Sequence, residues 1–247
     1  APRAAHDAAP TDGARLRPAL RAECGTHDAR LAAVALALLA GDGPLSDAHV
    51  AARAREAGVE IPWPRAVRIR ARDDSERSRA SLARAVSAFA EAAPHRGELR
   101  CGVAVARGPR GELHAAAVVV DALVQLVAPL PARAATGSVL SLTVRSLARA
   151  TPTSVFAATG DAPPIAVPLS RSGDLWEARV PLRAAGPTSI QVVGDAGGGP
   201  RPLLEARVES WGGAPPSSLG GSVSGVASVD DRERSLSVAV HRARWHA

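Results

Sequence analysis

Large side chains are almost missing from this sequence, which holds two Phe and four Trp in 247 residues and neither Tyr nor Met. A globular core therefore has to be assembled from Leu, Val and Ala. The chain is 46% apolar and 22% charged, which places it among folded rather than disordered proteins. Ala, Gly, Arg and Pro supply about half of all positions, the mark of a very GC-rich coding sequence. That bias weakens the usual reading of a net charge of +6, because Arg stands wherever Lys would serve as a solvated cation. Six aromatic residues cannot form a stacking platform, so a nucleic-acid partner is not expected.

The length suits two ordinary domains. The longest apolar run, Leu31 to Ala40, is about half of what spanning a bilayer requires, so no transmembrane segment is expected. Residues 1–22 read as a flexible N-terminus. From there to residue 121 the pattern is mixed α and β. Thr26 is placed to cap a helix carrying Leu31, Val34, Leu38 and Leu39 on one face. Ser46 caps a second helix, with Val50, Ala54 and Ala57, that ends at Gly58. Pro62, Trp63 and Pro64 force an extended turn. A third helix spans about Ser75 to Ala93, with Leu82, Val86 and Phe89 on one side. Cys101, Val103 and Val105, a turn at Gly108 to Gly111, and Leu113 to Val120 read as a β-hairpin.

After Asp121 the helical period disappears. Strands are expected near Val124–Val127, Val139–Val144, Ser154–Ala158, Ile165–Leu169, Leu175–Val180, Thr188–Val193 and Leu203–Val208. Seven short strands in residues 122–210 suggest an all-β, immunoglobulin-like sandwich, without the Cys…Trp…Cys spacing of antibody domains. Trp176 shares a strand face with Ala178 and Val180 and reads as a core plug. Residues 211–230 have the composition of a Gly/Ser/Pro linker, and 231–247 turn helical again.

Chemistry-bearing motifs are sparse. Cys24 and Cys101 either form one bridge or remain two buried thiols. Cys24 beside His27 also has the residue types of a thiolate nucleophile, but no Asn exists to orient the base. There is no GxSxG elbow, no phosphate-binding Gly loop and no Cys/His spacing for a metal, so no catalytic residue, metal or cofactor is expected. Arg68, Arg70 and Arg72 alternate along a strand. With Arg96 they form either a solvated edge or an anion patch for acidic surface polymers or headgroups.

The segment Ala93-Pro94-His95-Arg96-Gly97-Glu98-Leu99, followed by Cys101-Gly102-Val103-Ala104-Val105-Ala106, resembles the end of bacterial CAP-superfamily domains, the SCP-like extracellular group. Asp28 to Ala35 and Leu45 to Gly58 are similar to that family's first two helices. The resemblance implies an α+β chain led by a CAP-like α-β-α sandwich over residues 23–121, and export from the cytoplasm. CAP domains often join two His and two Glu in a metal-holding cleft. Here only His95 and Glu91 fall near such positions, so the resemblance implies a vestigial, degenerate cleft. Arg232 to Arg244 resembles the way CAP domains begin, which implies the start of a second, truncated one. The function expected from all this is an exported, non-catalytic binding or structural module of a CAP-associated bacterial protein. Its partner would be a cell-surface polymer or another domain. Residual metal-dependent activity and the binding of anionic polysaccharide or lipid are the alternatives.

Overall fold

The computed structural model describes residues 24–41, 43, 45–93 and 95–212. All of them fall in one compact unit that runs to Gly213. The expected N-terminal segment 1–22, the helical tail 231–247 and all but the first two residues of the expected linker 211–230 lie outside the described residues.

Three helices form where the apolar period predicts them: α1 (Ala29–Ala40), α2 (Asp47–Glu56) and α3 (Glu76–Glu91). Ser46 caps α2 and Ser75 caps α3, each side chain accepting from the backbone N–H three residues on. The cap of α1 differs from expectation. Asp28, not Thr26, accepts from the amides of Arg30 (2.8 Å) and Leu31 (3.3 Å). Thr26 and His27 instead form the short strand β1 (Thr26–His27), held parallel to β3 (Glu98–Arg107). The cause is covalent: Cys24 and Cys101 are bridged, with Cα atoms 5.9 Å apart, and the Asp28 amide donates to the Cys101 carbonyl. With both sulfurs in the bridge, Cys24 offers no thiolate, and the nucleophile reading falls.

The hairpin β3–β4 (Leu113–Ala122) is the centre of a four-stranded sheet, with β1 at one edge and β2 (Arg65–Ala71) at the other. Both of its faces are buried. Val103, Val105, Ala115 and Ala117 meet Leu82, Val86 and Ala90 of α3. Ala104, Ala116, Val118 and Val120 meet Leu31, Val34 and Leu38 of α1 and Val50 of α2. The alternation of the pleat thus divides one strand pair between two cores.

Nine strands follow. Sheet order β10-β11-β7-β5 joins β10 (Leu169–Ser172), β11 (Leu175–Pro181), β7 (Val139–Ser146) and β5 (Val124–Leu126). Sheet order β6-β13-β12-β8-β9 joins β6 (Arg133–Ala135), β13 (Pro200–Trp211), β12 (Gly186–Asp195), β8 (Thr151–Thr159) and β9 (Ile165–Val167). Leu140, Leu142, Val144 and Val180 of the first sheet and Val155, Ile190, Val192 and Val208 of the second share one core. The strands expected after Asp121 are present. β6 and β10, three and four residues long, were not expected, and β13 extends through Trp211, where a linker was expected. Trp176 packs partly buried on this core, and the Arg171 guanidinium lies 5.3 Å from its ring centroid.

These proportions correct the fold class. Strand makes up 47% and helix 20% of the described residues, so the chain is β-rich and is not an α+β protein built on a CAP-type α-β-α sandwich. Among the described residues the three helices pad one four-stranded sheet, and nine further strands form two more sheets. The motif that suggested CAP has a local explanation. At Gly102 an added Cβ would stand 2.0 Å from backbone atoms of Leu31 and Ala32. Small residues are required there because α1 crosses the strand at backbone distance, which any such packing would demand.

The start of α3 yields a pH prediction. Asp73 accepts from the Ser75 hydroxyl (2.6 Å), the Ser78 hydroxyl (2.6 Å) and the Ser75 amide (3.0 Å). These bonds, that from the Ser75 side chain foremost, hold its carboxyl at about 2, down from 3.8. The depressed value stabilises the fold above 3.8, and that contribution is lost as the pH falls toward 2. Asp73→Asn is expected to lower the melting temperature at neutral pH. The gap from wild type should close as thermal melts are taken from pH 4 down to pH 2.

Candidate functional site

Helix α2 stops at Glu56, and Gly58, at φ 71°, turns the chain back. Val59 and Ile61 are buried at 4% and 6% exposure. Between them the Glu60 carbonyl accepts from the Glu205 amide of β13 (2.7 Å), and the Glu60 carboxylate meets Arg30 (2.6 Å). Pro64 is buried again, just before β2 begins. The chain is therefore pinned on both sides of Trp63, with a proline at either flank.

Trp63 adopts φ 60°, the one non-glycine residue with positive φ among those described. For a bulky side chain that region costs about 1–2 kcal/mol. Packing does not offset the cost, because the side chain is 70% exposed, more than any other large apolar residue described. Strain and exposure combined in one residue point to a role outside the fold.

Trp63 borders a groove of about 600 Å³, within the range of ligand sites. Asp47, Ala51 and Arg55 of α2 line one side, Arg65 starts β2 beside it, and Val120 and Asp121 of β4 lie below. Arg201, Pro202 and Glu205 of β13 close it from the sandwich. Of the groove's three carboxylates, Asp121 and Glu205 are engaged within the protein, while Asp47 has no side-chain partner among the described residues. Asp121 accepts from the amides of Gly97 (2.8 Å) and Arg96 (3.0 Å), and Glu205 from the Gln191 amide group (3.0 Å). The cations are less so. Arg65 reaches the Ala92 carbonyl at 3.4 Å and lies 5.7 Å from the Phe89 ring centroid. Arg201 stands 4.0 Å from Asp121, and its Nε has no hydrogen-bond partner.

The residues singled out from sequence lie elsewhere. Arg68 donates to the carbonyls of Leu38, Gly41 and Gly43, tying down the end of α1. Arg96 donates to the carbonyls of Ala196 and Gly197, in a loop whose three amides at Gly197, Gly198 and Gly199 bond the Asp195 carboxylate. Those amides hold the Asp195 carboxyl below its ordinary value. Arg70 lies near Glu112, and Arg72 is exposed beyond the strand. Arg68 and Arg96 are thus structural ties, while Arg72 has no side-chain partner among the described residues. Glu91 is exposed and accepts from Ser87 (2.9 Å), while the His95 Nδ1 meets the Ala93 carbonyl (3.1 Å). Among the described residues no three His, Cys, Asp or Glu side chains come together as a metal site would need.

Sequence reading placed Trp63 in a turn and went no further. The available signal was the Pro-Trp-Pro triplet, since an aromatic between two prolines can join neither a helix interior nor a central strand. Arg201 and Glu205 had no signal, because only the fold brings β13 to α2.

No family model matches the chain, and no curated protein does. Among solved structures, a polysaccharide lyase is similar over 48% of this chain and 23% of its own, at 15% identity and TM-score 0.28. The twitchin kinase region from C. elegans matches over 38% of this chain and 17% of its own, at 12% identity and TM-score 0.26. The titin Ig tandem A164–A165 matches over 44% of this chain and 73% of its own, at 14% identity and TM-score 0.24. Likenesses of this size set neither fold nor function.

Proposed function

We propose that this protein is an exported, non-catalytic binding module of bacterial origin, with an immunoglobulin-like sandwich as one wall of its site. The groove under Trp63 is where it binds. The observation that carries this reading is Trp63 itself, an indole held in a strained conformation and left in solvent beside a ligand-sized groove. Export is supported by the Cys24–Cys101 bridge, since such bonds persist in oxidising compartments. No helix among the described residues is long and apolar enough to cross a membrane.

Trp63→Gly separates binding from folding. Glycine removes the strain but gives the unfolded chain more freedom, so the two effects nearly cancel and stability should stay within about 1 kcal/mol of wild type. Association with purified cell-envelope polymer, read by co-sedimentation, should fall about tenfold or more. Equal co-sedimentation of the two proteins, or none by wild type, would remove the groove as the binding site.

A further inference from the structure

Resting on that reading, we propose that the groove takes an acidic polysaccharide, with a pyranose ring against Trp63 and its carboxylates facing Arg55, Arg65 and Arg201. Hydrogen-bonding capacity is used unequally around the groove. Asp121 and Glu205 already accept bonds from within the protein, which leaves them little to offer a ligand. The Arg55 side chain, exposed on the last turn of α2, has no ion pair or hydrogen bond among the described residues. Arg201 stands 4.0 Å from Asp121 with its Nε buried, and Arg65 has one long bond to a carbonyl. Guanidinium forks on a groove, with free donors on Arg55 and Arg65, suit planar carboxylates, which they can bind in bidentate fashion. An exposed indole supplies the flat apolar face that a sugar ring covers.

The same charges could face a lipid headgroup, but the apolar surface is arranged wrongly for a bilayer. Leu36, Val127 and Val139, the other exposed large apolar residues among those described, do not line the groove, so no second large apolar side chain stands exposed beside Trp63 to insert with it. A membrane-binding face would place them together.

The test is a calorimetric titration of the whole chain with polygalacturonate, neutral dextran and phosphatidylglycerol vesicles. It is repeated on Trp63→Gly and on Arg55→Gln, an exposed position whose change leaves the fold alone. Polygalacturonate should bind, weaken as salt rises, and lose about tenfold or more in affinity with Trp63→Gly and severalfold with Arg55→Gln. Dextran and vesicles should bind far less. Dextran binding as tightly as polygalacturonate, lost in Trp63→Gly but indifferent to Arg55→Gln, overturns the acidic assignment and leaves the groove reading standing. Vesicle binding in place of polygalacturonate, polygalacturonate binding that survives Trp63→Gly, or no binding of any probe overturns the assignment as well. The groove reading itself falls by the envelope co-sedimentation described above.

Discussion

Cys24→Ala with Cys101→Ala is expected to cost roughly 4 kcal/mol and to lower the melting temperature by roughly 10 °C. The bridge closes a 77-residue separation that contains all three helices and the edge strand β2. Opening it returns that loop's entropy to the unfolded chain. A local effect adds to this. β1 pairs with β3 through two residues only, Thr26 with Arg100 and His27 with Cys101, and both β1 residues are exposed. Without the bridge, so short a parallel pairing has little to keep it in place. Both sulfurs lie in the core beneath α3, at 1% and 0% exposure, so alanine also leaves small voids. A loss below about 1 kcal/mol in circular-dichroism melts would show that β1 and the α1 cap hold by other means.

Gly102→Ala is expected to be as damaging, at about 4 kcal/mol or more, although it adds a single methyl group. The new carbon would stand 2.0 Å from the Leu31 carbonyl carbon and the Ala32 amide nitrogen, and 2.5 Å from the Leu31 oxygen. These are backbone atoms, so no rotamer change relieves the clash. Either α1 lifts off the sheet, loosening Leu31, Val34 and Leu38, or the central strand β3 bends away. Gly111→Ala is the matched control. That glycine has φ 83° and nothing within 4 Å of an added Cβ, so the change should cost about 1 kcal/mol from backbone strain alone. Equal losses at the two positions, read from denaturant midpoints, would refute the close approach of α1.

Much of this architecture was legible in the sequence, because its periods are clean where both faces of an element are committed. The stripe of Leu31, Val34 and Leu38, the Ser46 and Ser75 caps, the turn at Gly108 to Gly111 and the alternation of Leu140, Leu142 and Val144 each follow from local chemistry. Two failures had physical causes. Thr26 lost the cap of α1 because a covalent bond drew it into a strand, a constraint that helix-capping preference does not contain. The CAP-type fold class, read from Ala93 to Ala106, Asp28 to Ala35 and Leu45 to Gly58, failed because those segments hold only helices and one hairpin strand, while most of the strands lie beyond them. The alternation of Arg68, Arg70 and Arg72, with Arg96 nearby in the chain, leaves a solvated edge and an anion patch both open. Yet Arg68 and Arg96 are consumed by backbone carbonyls that only the fold brings near. The groove was the least legible feature, since its walls come from α2, β4 and β13.

The most direct test of the central claim is oxidative footprinting of the tryptophans, read residue by residue by mass spectrometry with and without polygalacturonate. Trp63 should be modified well before Trp176 and Trp211, which are partly buried, and the polymer should protect Trp63 while leaving those two unchanged. Modification of Trp63 no faster than Trp176, or at a rate the bound polymer does not alter, would contradict the claim that this indole is the binding platform.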